Sequence, residues 1–301
     1  MQKLKFTPHL DCIPYIIPFF EKMTNTFSYI VKDPQSAHCA VIDSVMDLDY
    51  AAGSISYTSV NQIIQKIQKE QWTLDWIIDT HVHADHLSAA SYIQDKLGGQ
   101  IGIGAKVVQV QQTFAEIFNE NNTFLRDGSQ FDYLFEEGDT YSIGHLEAQI
   151  LHTPGHTPAC MTHIIGNAAF VGDTLFMPDS GTARADFPGG DATTLYQSIH
   201  KIFLLPDEMR LFMCHDYAPN GREIKNHTTV GEEKKHNIHV GNNINQSDFV
   251  KMREARDKTL SMPKLILPAL QVNIRAGQLP PAQKNHQHYF NIPINAFNNK
   301  N

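Results

Sequence analysis

Apolar residues along the chain fall into short runs separated by polar, turn-forming stretches, and the runs carry two periods. Phe27–Val31 and Ala40–Ile42, split by Asp33-Pro34, predict two short buried strands joined by a turn. Asp47–Val60 is polar and rich in Gly, Ser and Thr, and reads as a loop. Ile63, Ile64 and Ile67 then recur at helical spacing and predict a helix over 60–70. Trp76-Ile77-Ile78 predicts a buried strand ending on a polar segment, followed by a helix over 88–97 that Gly98-Gly99 stops. Further strands are predicted at 101–103, 146–151, 161–165, 168–171 and 211–214, and helices at 193–205 and 249–260. Strands and helices alternate, and polar clusters come where strands end. That pattern is an α/β protein whose site is built on loops at one edge of its sheets. Residues 262–281 read as an extended, packed tail, and the last dozen residues, with five Asn, as loosely ordered. One domain over 20–301 is expected, with a core over 24–240, a C-terminal helix and tail over 241–285, and an N-terminal extension over 1–19.

Composition narrows the function classes. The chain has 301 residues, enough for a sizeable core. A balance of 24 Lys+Arg against 32 Asp+Glu, net −8, lacks the dense basic surface that sequence-independent nucleic-acid binding requires. Cys12, Cys39, Cys160 and Cys214 lie far apart with no CxxC pair, and read as reduced thiols of a cytoplasmic protein. The apolar patch Cys12–Phe20 follows Lys3 and Lys5 as a signal peptide would. Asp11, Pro14 and Pro18 break it up, and no small-residue cleavage site follows. No apolar run approaches the roughly 20 residues that span a bilayer, so no membrane partner is expected.

Sixteen histidines stand out. His81-x-His83-x-Asp85-His86 puts four metal-ligand types within six residues. A strand end running into a tight loop can turn alternate side chains toward one point, and imidazoles with a carboxylate suit zinc, iron or manganese. His156 lies in Thr153-Pro154-Gly155-His156-Thr157-Pro158, a rigid turn at a strand end. Asp173 follows the apolar run ending at Val171, and His215 follows Leu211–Cys214. The same context occurs four times, and one shared metal site is the economical explanation. His145, His152, His163 and His200 lack it and read as structural or surface residues. Glu232-Glu233-Lys234-Lys235 reads as a solvated helix face.

This constellation resembles the metallo-β-lactamase superfamily, which implies a four-layer αββα sandwich with the metal at one edge. A finer resemblance, to the persulfide dioxygenases and a bacterial "β-lactamase hydrolase-like" subgroup, rests on seven stretches. They are Thr80–His86, Thr153–Cys160, Val171–Thr174, Gly181–Phe187, Thr194–His200, Cys214–Tyr217 and Thr228–Glu233. Met262–Pro268 resembles that group's C-terminal segment. The resemblance implies one iron(II) per chain held by His81, His156 and Asp173, with zinc as the alternative. It leaves His83, Asp85, His86 and His215 either to orient those ligands or, in a dinuclear enzyme, to complete a second metal site. The implied reaction takes glutathione persulfide, O2 and water to sulfite and glutathione. Tyr217 is expected as a catalytic or substrate contact. Arg184 is expected to meet a glutathione carboxylate or to pair with Asp186 in its own loop. A homodimer is also implied. The competing readings are a glyoxalase II-like dinuclear zinc thioester hydrolase and a metal-bearing binding or regulatory protein. The chain departs from the mitochondrial members at Ala183 and Ala185 and by an insertion within Leu48–Ser59.

Overall fold

Strand residues that are apolar at every position, not at alternate ones, place the central strands between two cores. The computed structural model describes residues 8–296; part of the expected loosely ordered C-terminus, 297–301, lies outside the described residues. The elements are β1 (Tyr15–Glu21), β2 (Thr26–Lys32), β3 (His38–Ile42), β4 (Val45–Asp49), β5 (Ser54–Ser56) and α1 (Thr58–Lys69). Then come β6 (Thr73–Ile78), β7 (Leu87–Ser88), α2 (Ala90–Leu97), β8 (Gln100–Gly104), α3 (Val107–Ile117) and β9 (Tyr133–Phe135). The second half holds β10 (Thr140–Ile143), β11 (Leu146–His152), β12 (Met161–Ile165), β13 (Ala168–Phe170), α4 (Ala192–Ile202) and β14 (Arg210–Phe212). It closes with β15 (His227–Thr229), α5 (Val230–His236), α6 (Gln246–Asp257) and α7 (Ile266–Asn273).

One six-stranded sheet runs β1-β2-β3-β6-β8-β9 and a second runs β10-β11-β12-β13-β14-β15. In β2, Phe27, Tyr29 and Val31 point into a core shared with Ile150, Ile165 and Phe170 of the second sheet. Ile30 points the other way, toward α1, α2, α3 and α7. In β13, Ala168 and Phe170 face the first sheet while Ala169 faces α4 and α6. Helix, sheet, sheet, helix is therefore the layer order, as expected from the resemblance. At about 25 cal/mol per Å2 of apolar surface removed from water, these three contiguous cores hold the layers together.

Several expectations need correction. The segment 47–60 is not a loop: β4 and β5 form a hairpin there and α1 begins at Thr58. The boundary at residue 20 falls inside β1, which pairs with β2 from Tyr15 to Glu21, so the apolar patch near the N-terminus is an edge strand. The tail over 262–281 contains α7, and α3, β9 and β10 went unpredicted. Glu233 of the charged run is fully buried on α5, not solvated.

Two glycines let the loops converge. Gly172, at φ +50°, lies against Thr80: an added Cβ would come within 2.6 Å of Thr80 Oγ1, so only glycine lets the Asp173 loop close on the His81 loop. Gly155, at φ +134°, abuts the Leu195 backbone of α4 and turns His156 inward.

Candidate metal centre

Four strand ends deliver the donors to one edge. His81, His83, Asp85 and His86 leave β6, His156 lies between β11 and β12, Asp173 follows β13, and His215 follows β14. A bridge between Thr26 and His215 joins the two sheets there. The five imidazoles are buried, and Asp173 is 8% exposed. Asp173 Oδ2 is 3.9 Å from His81 Nε2 and 3.7 Å from His156 Nε2. Two donors bound to one ion at about 2.1 Å can be no more than about 4.2 Å apart, so this trio fits a single metal. A second set lies alongside: His215 Nε2 is 3.3 Å from Asp85 Oδ2 and 3.4 Å from Asp173 Oδ1.

Each imidazole has one ring nitrogen engaged. His156 Nδ1 is 2.8 Å from the Arg184 carbonyl, which can only accept, so Nδ1 carries the proton and Nε2 the lone pair. His81 Nδ1 meets Thr80 Oγ1 at 3.1 Å, and His83 Nε2 meets Asp43 Oδ1 at 2.9 Å. His86 Nδ1 lies 3.3 Å from Asp85 Oδ2, and His215 Nδ1 lies 3.3 Å from the Asn25 carbonyl. The opposite atoms are bare. His81 Nε2, His83 Nδ1, His86 Nε2, His215 Nε2 and Asp173 Oδ1 are buried without a hydrogen-bond partner. Orphaned buried polar atoms are costly, and five gathered at one sheet edge fit a site that a cation satisfies.

Electrostatics sorts the ring nitrogens. Desolvation, with neighbouring His83 and His156, holds His81 well below the ordinary histidine range, so it is a neutral lone-pair donor. His83 behaves oppositely: desolvation acts against its charged form, but Asp43 together with Asp79 and Asp85 raises the imidazole to about 9. His215 is likewise raised, against desolvation, by Asp85 and Asp173. Burial, with Asp43, Asp173 and Asp85 nearby, pushes the Cys214 thiol well up.

The sequence profile of the metallo-beta-lactamase superfamily matches residues 23–215, which contain every one of these donors. The chain belongs to that superfamily. Among superfamily proteins, a probable metallo-hydrolase of Burkholderia pseudomallei is 50% identical over 92% of this chain and 98% of its own length. A beta-lactamase hydrolase-like protein of Agrobacterium fabrum is 51% identical over 94% of this chain, which spans only 65% of that protein. The mitochondrial persulfide dioxygenase ETHE1 of Homo sapiens is 29% identical over 87% of this chain and 88% of its own. Among solved structures, ETHE1 from Myxococcus xanthus superposes with a TM-score of 0.70 at 28% identity, covering 88% of this chain and 100% of that one.

The structure brings His81, His156 and Asp173 together, groups His83 with Asp85 and His86, and sets His215 against Asp85 and Asp173. The Arg184 backbone carbonyl meets His156, but its guanidinium is engaged elsewhere. Its Nε and NH2 groups donate to Asp186 at 2.6 and 2.8 Å, and NH1 donates to the Ser261 carbonyl at 2.8 Å. No free fork faces a substrate carboxylate. Tyr217 is 52% exposed, with its ring 5.9 Å from His215 and nearly parallel to it. Three supporting residues escaped the sequence reading. Asp43 accepts from the Thr80 backbone N–H at 2.7 Å besides holding His83. It follows the apolar run Ala40–Ile42, the same strand-end signal that marked Asp173. Asn273 of α7 donates to the His83 and His86 carbonyls at 2.8 Å and accepts from Ser88 N–H at 2.7 Å. Asp257 holds the Ala185 N–H at 2.9 Å. Neither Asn273 nor Asp257 carries a local signal.

Proposed function

We propose that the chain is a mononuclear non-heme iron persulfide dioxygenase, converting glutathione persulfide, O2 and water to sulfite and glutathione. The observation that supports this reading is the extent of the match: ETHE1 from Myxococcus xanthus is matched along 100% of its length and 88% of this chain at 28% identity. Two histidines and one carboxylate leave open one side of an ion, the arrangement of non-heme iron oxygenases. Iron(II), when bound, would supply open positions that bring an anionic sulfur and O2 together and a redox centre through which the four electrons leaving the terminal sulfur reach O2.

The protein groups have separate tasks. His81 and His156 would each offer Nε2, and Asp173 a carboxylate oxygen. His83, tied to Asp43, and Asp85 with His215 balance charge around that trio. Desolvation acts against charge on His215, but Asp85 and Asp173 raise the imidazole overall, which favours its protonated form beside the second donor set. Tyr217 sits between buried His215 and solvent. Its phenol, protonated at neutral pH, can donate a hydrogen bond to an anionic persulfide. Arg184 is a loop brace in this reading, since its donors are taken by Asp186 and Ser261.

A dinuclear zinc thioester hydrolase is the second reading. The bare nitrogens of His83, His86 and His215 favour it, as do the hydrolase names of the relatives at about half identity. Metal analysis separates the two. Protein loaded anaerobically should retain one iron per chain, and Asp173→Ala should retain none. Two zinc ions per chain under equal exposure to both metals, or full iron occupancy in Asp173→Ala, would overturn the iron trio.

A further inference from the structure

We infer that Asp257, on α6, is a positioning residue for the metal, acting on His156 through a single peptide group. The peptide joining Arg184 to Ala185 is rigid and planar, with its C=O and N–H pointing in opposite directions. Its C=O accepts from His156 Nδ1 at 2.8 Å. Its N–H donates to Asp257 Oδ2 at 2.9 Å. A carboxylate on the N–H side polarises the peptide and makes the carbonyl a stronger acceptor. The carbonyl then draws harder on the His156 Nδ1 proton, which raises the basicity of Nε2. Metal-binding histidines commonly receive this push from a carboxylate in direct contact. Here a peptide group stands between the carboxylate and the ring.

The arrangement around Asp257 is built to hold that charge. Asp257 is 5% exposed and its other oxygen, Oδ1, accepts from Arg253 Nε at 2.9 Å, with Arg253 NH2 2.6 Å away. Arg253 is 1% exposed, and its NH1 donates to the Thr182 carbonyl at 3.1 Å. The ion pair therefore grips the 182–185 segment at two backbone points, and one of them is the peptide that orients His156. The pair sits at i and i+4 on a helix outside the profile match, which ends at residue 215. The inference rests on His156 being a metal ligand, whichever metal is bound, and not on the oxidation chemistry.

Cobalt(II) titration, followed by its d–d absorption, tests it on the full chain. Asp257→Asn should weaken cobalt binding at least about tenfold, the usual scale for losing such a partner. In the zinc-loaded protein the His156 Nδ1–H proton resonance should move upfield, reporting a weaker bond to the carbonyl. Because Asp257→Asn leaves Arg253 buried and unpaired, the double variant Arg253→Met/Asp257→Asn removes both charges yet keeps an amide oxygen for the Ala185 N–H. It should fold and show the same tenfold loss. Asp186→Asn, which breaks the other carboxylate pair of this loop, should bind cobalt as the unaltered protein does. Wild-type affinity and resonance position in the folded double variant would overturn the inference, as would an equal loss in Asp186→Asn. Failure to oxidise persulfide with these responses intact would defeat the proposed function alone.

Discussion

A buried imidazole bonded at one nitrogen and without a partner at the other is costly in an apolar interior unless a cation takes up its lone pair or a carboxylate holds its proton. Four of the five site histidines are in that state, together with Asp173 Oδ1. Their engaged nitrogens matter as much as the bare ones, because Thr80, Asp43, Asp85, Asn25 and the Arg184 carbonyl fix which nitrogen faces the cluster. Asp43 is the most exposed to test. Asp43→Ala removes the partner of a buried, charged His83 and the acceptor of the Thr80 N–H. It should lower stability by about 3 kcal/mol or more in urea denaturation, the scale for breaking one side of a buried pair. A loss below about 1 kcal/mol would mean that His83 is neutral in the fold. At this scale the donors were legible because ligand-type residues repeat one context, apolar strand then sharp turn. Asp43 shares the context too, and nothing in its immediate neighbours separates it from Asp173.

Buried strands were legible as short apolar runs, and helices such as α1 where one face is apolar and the other polar; α7, buried almost throughout, and the solvent-facing β4–β5 hairpin were not. Helix α1 shows its period because Val60, Ile63, Ile64 and Ile67 are buried and the rest are not. Helix α7 is buried from Ile266 through Asn273 apart from Leu267, so no polar stripe marks it as a helix. The β4–β5 hairpin fails oppositely, since its Ser54, Ser56 and Asp49 face solvent. The placement of α7 has a functional edge: Asn273→Ala removes three hydrogen bonds to the loop that carries His83 and His86. It should cost at least about 2 kcal/mol of stability. The same variant should also retain metal less well against a chelator, and undiminished retention would show that the loop needs no help from α7. Helix α5 supplies a pH signature. Burial raises Glu233 to about 8, above its ordinary value near 4.5. A raised carboxyl contributes stability that is complete below the unfolded value and is lost as pH climbs through the folded one. Stability should therefore fall between pH 5 and 7 by up to about 1.4 kcal/mol per pH unit from this group. Glu233→Gln, which mimics the protonated acid, should flatten that slope in denaturation curves recorded at each pH; an unchanged slope would place the titration elsewhere.

For the whole molecule, alternation of strands and helices gave the class, and the histidine spacing identified the superfamily and with it the layers. The strand order inside each sheet was beyond local pattern, because it depends on pairings such as β13 with β14 that join residues far apart in sequence. No helix among the described residues is long and apolar enough to cross a membrane. The two readings of the site share fold, donors and burial, and differ in whether the reaction consumes oxygen. An oxygen electrode coupled to sulfite determination decides between them. Iron-loaded protein given glutathione persulfide should consume O2 and release sulfite in equal amounts, and should leave S-lactoylglutathione intact. Hydrolysis of S-lactoylglutathione without oxygen uptake from the persulfide would contradict the account.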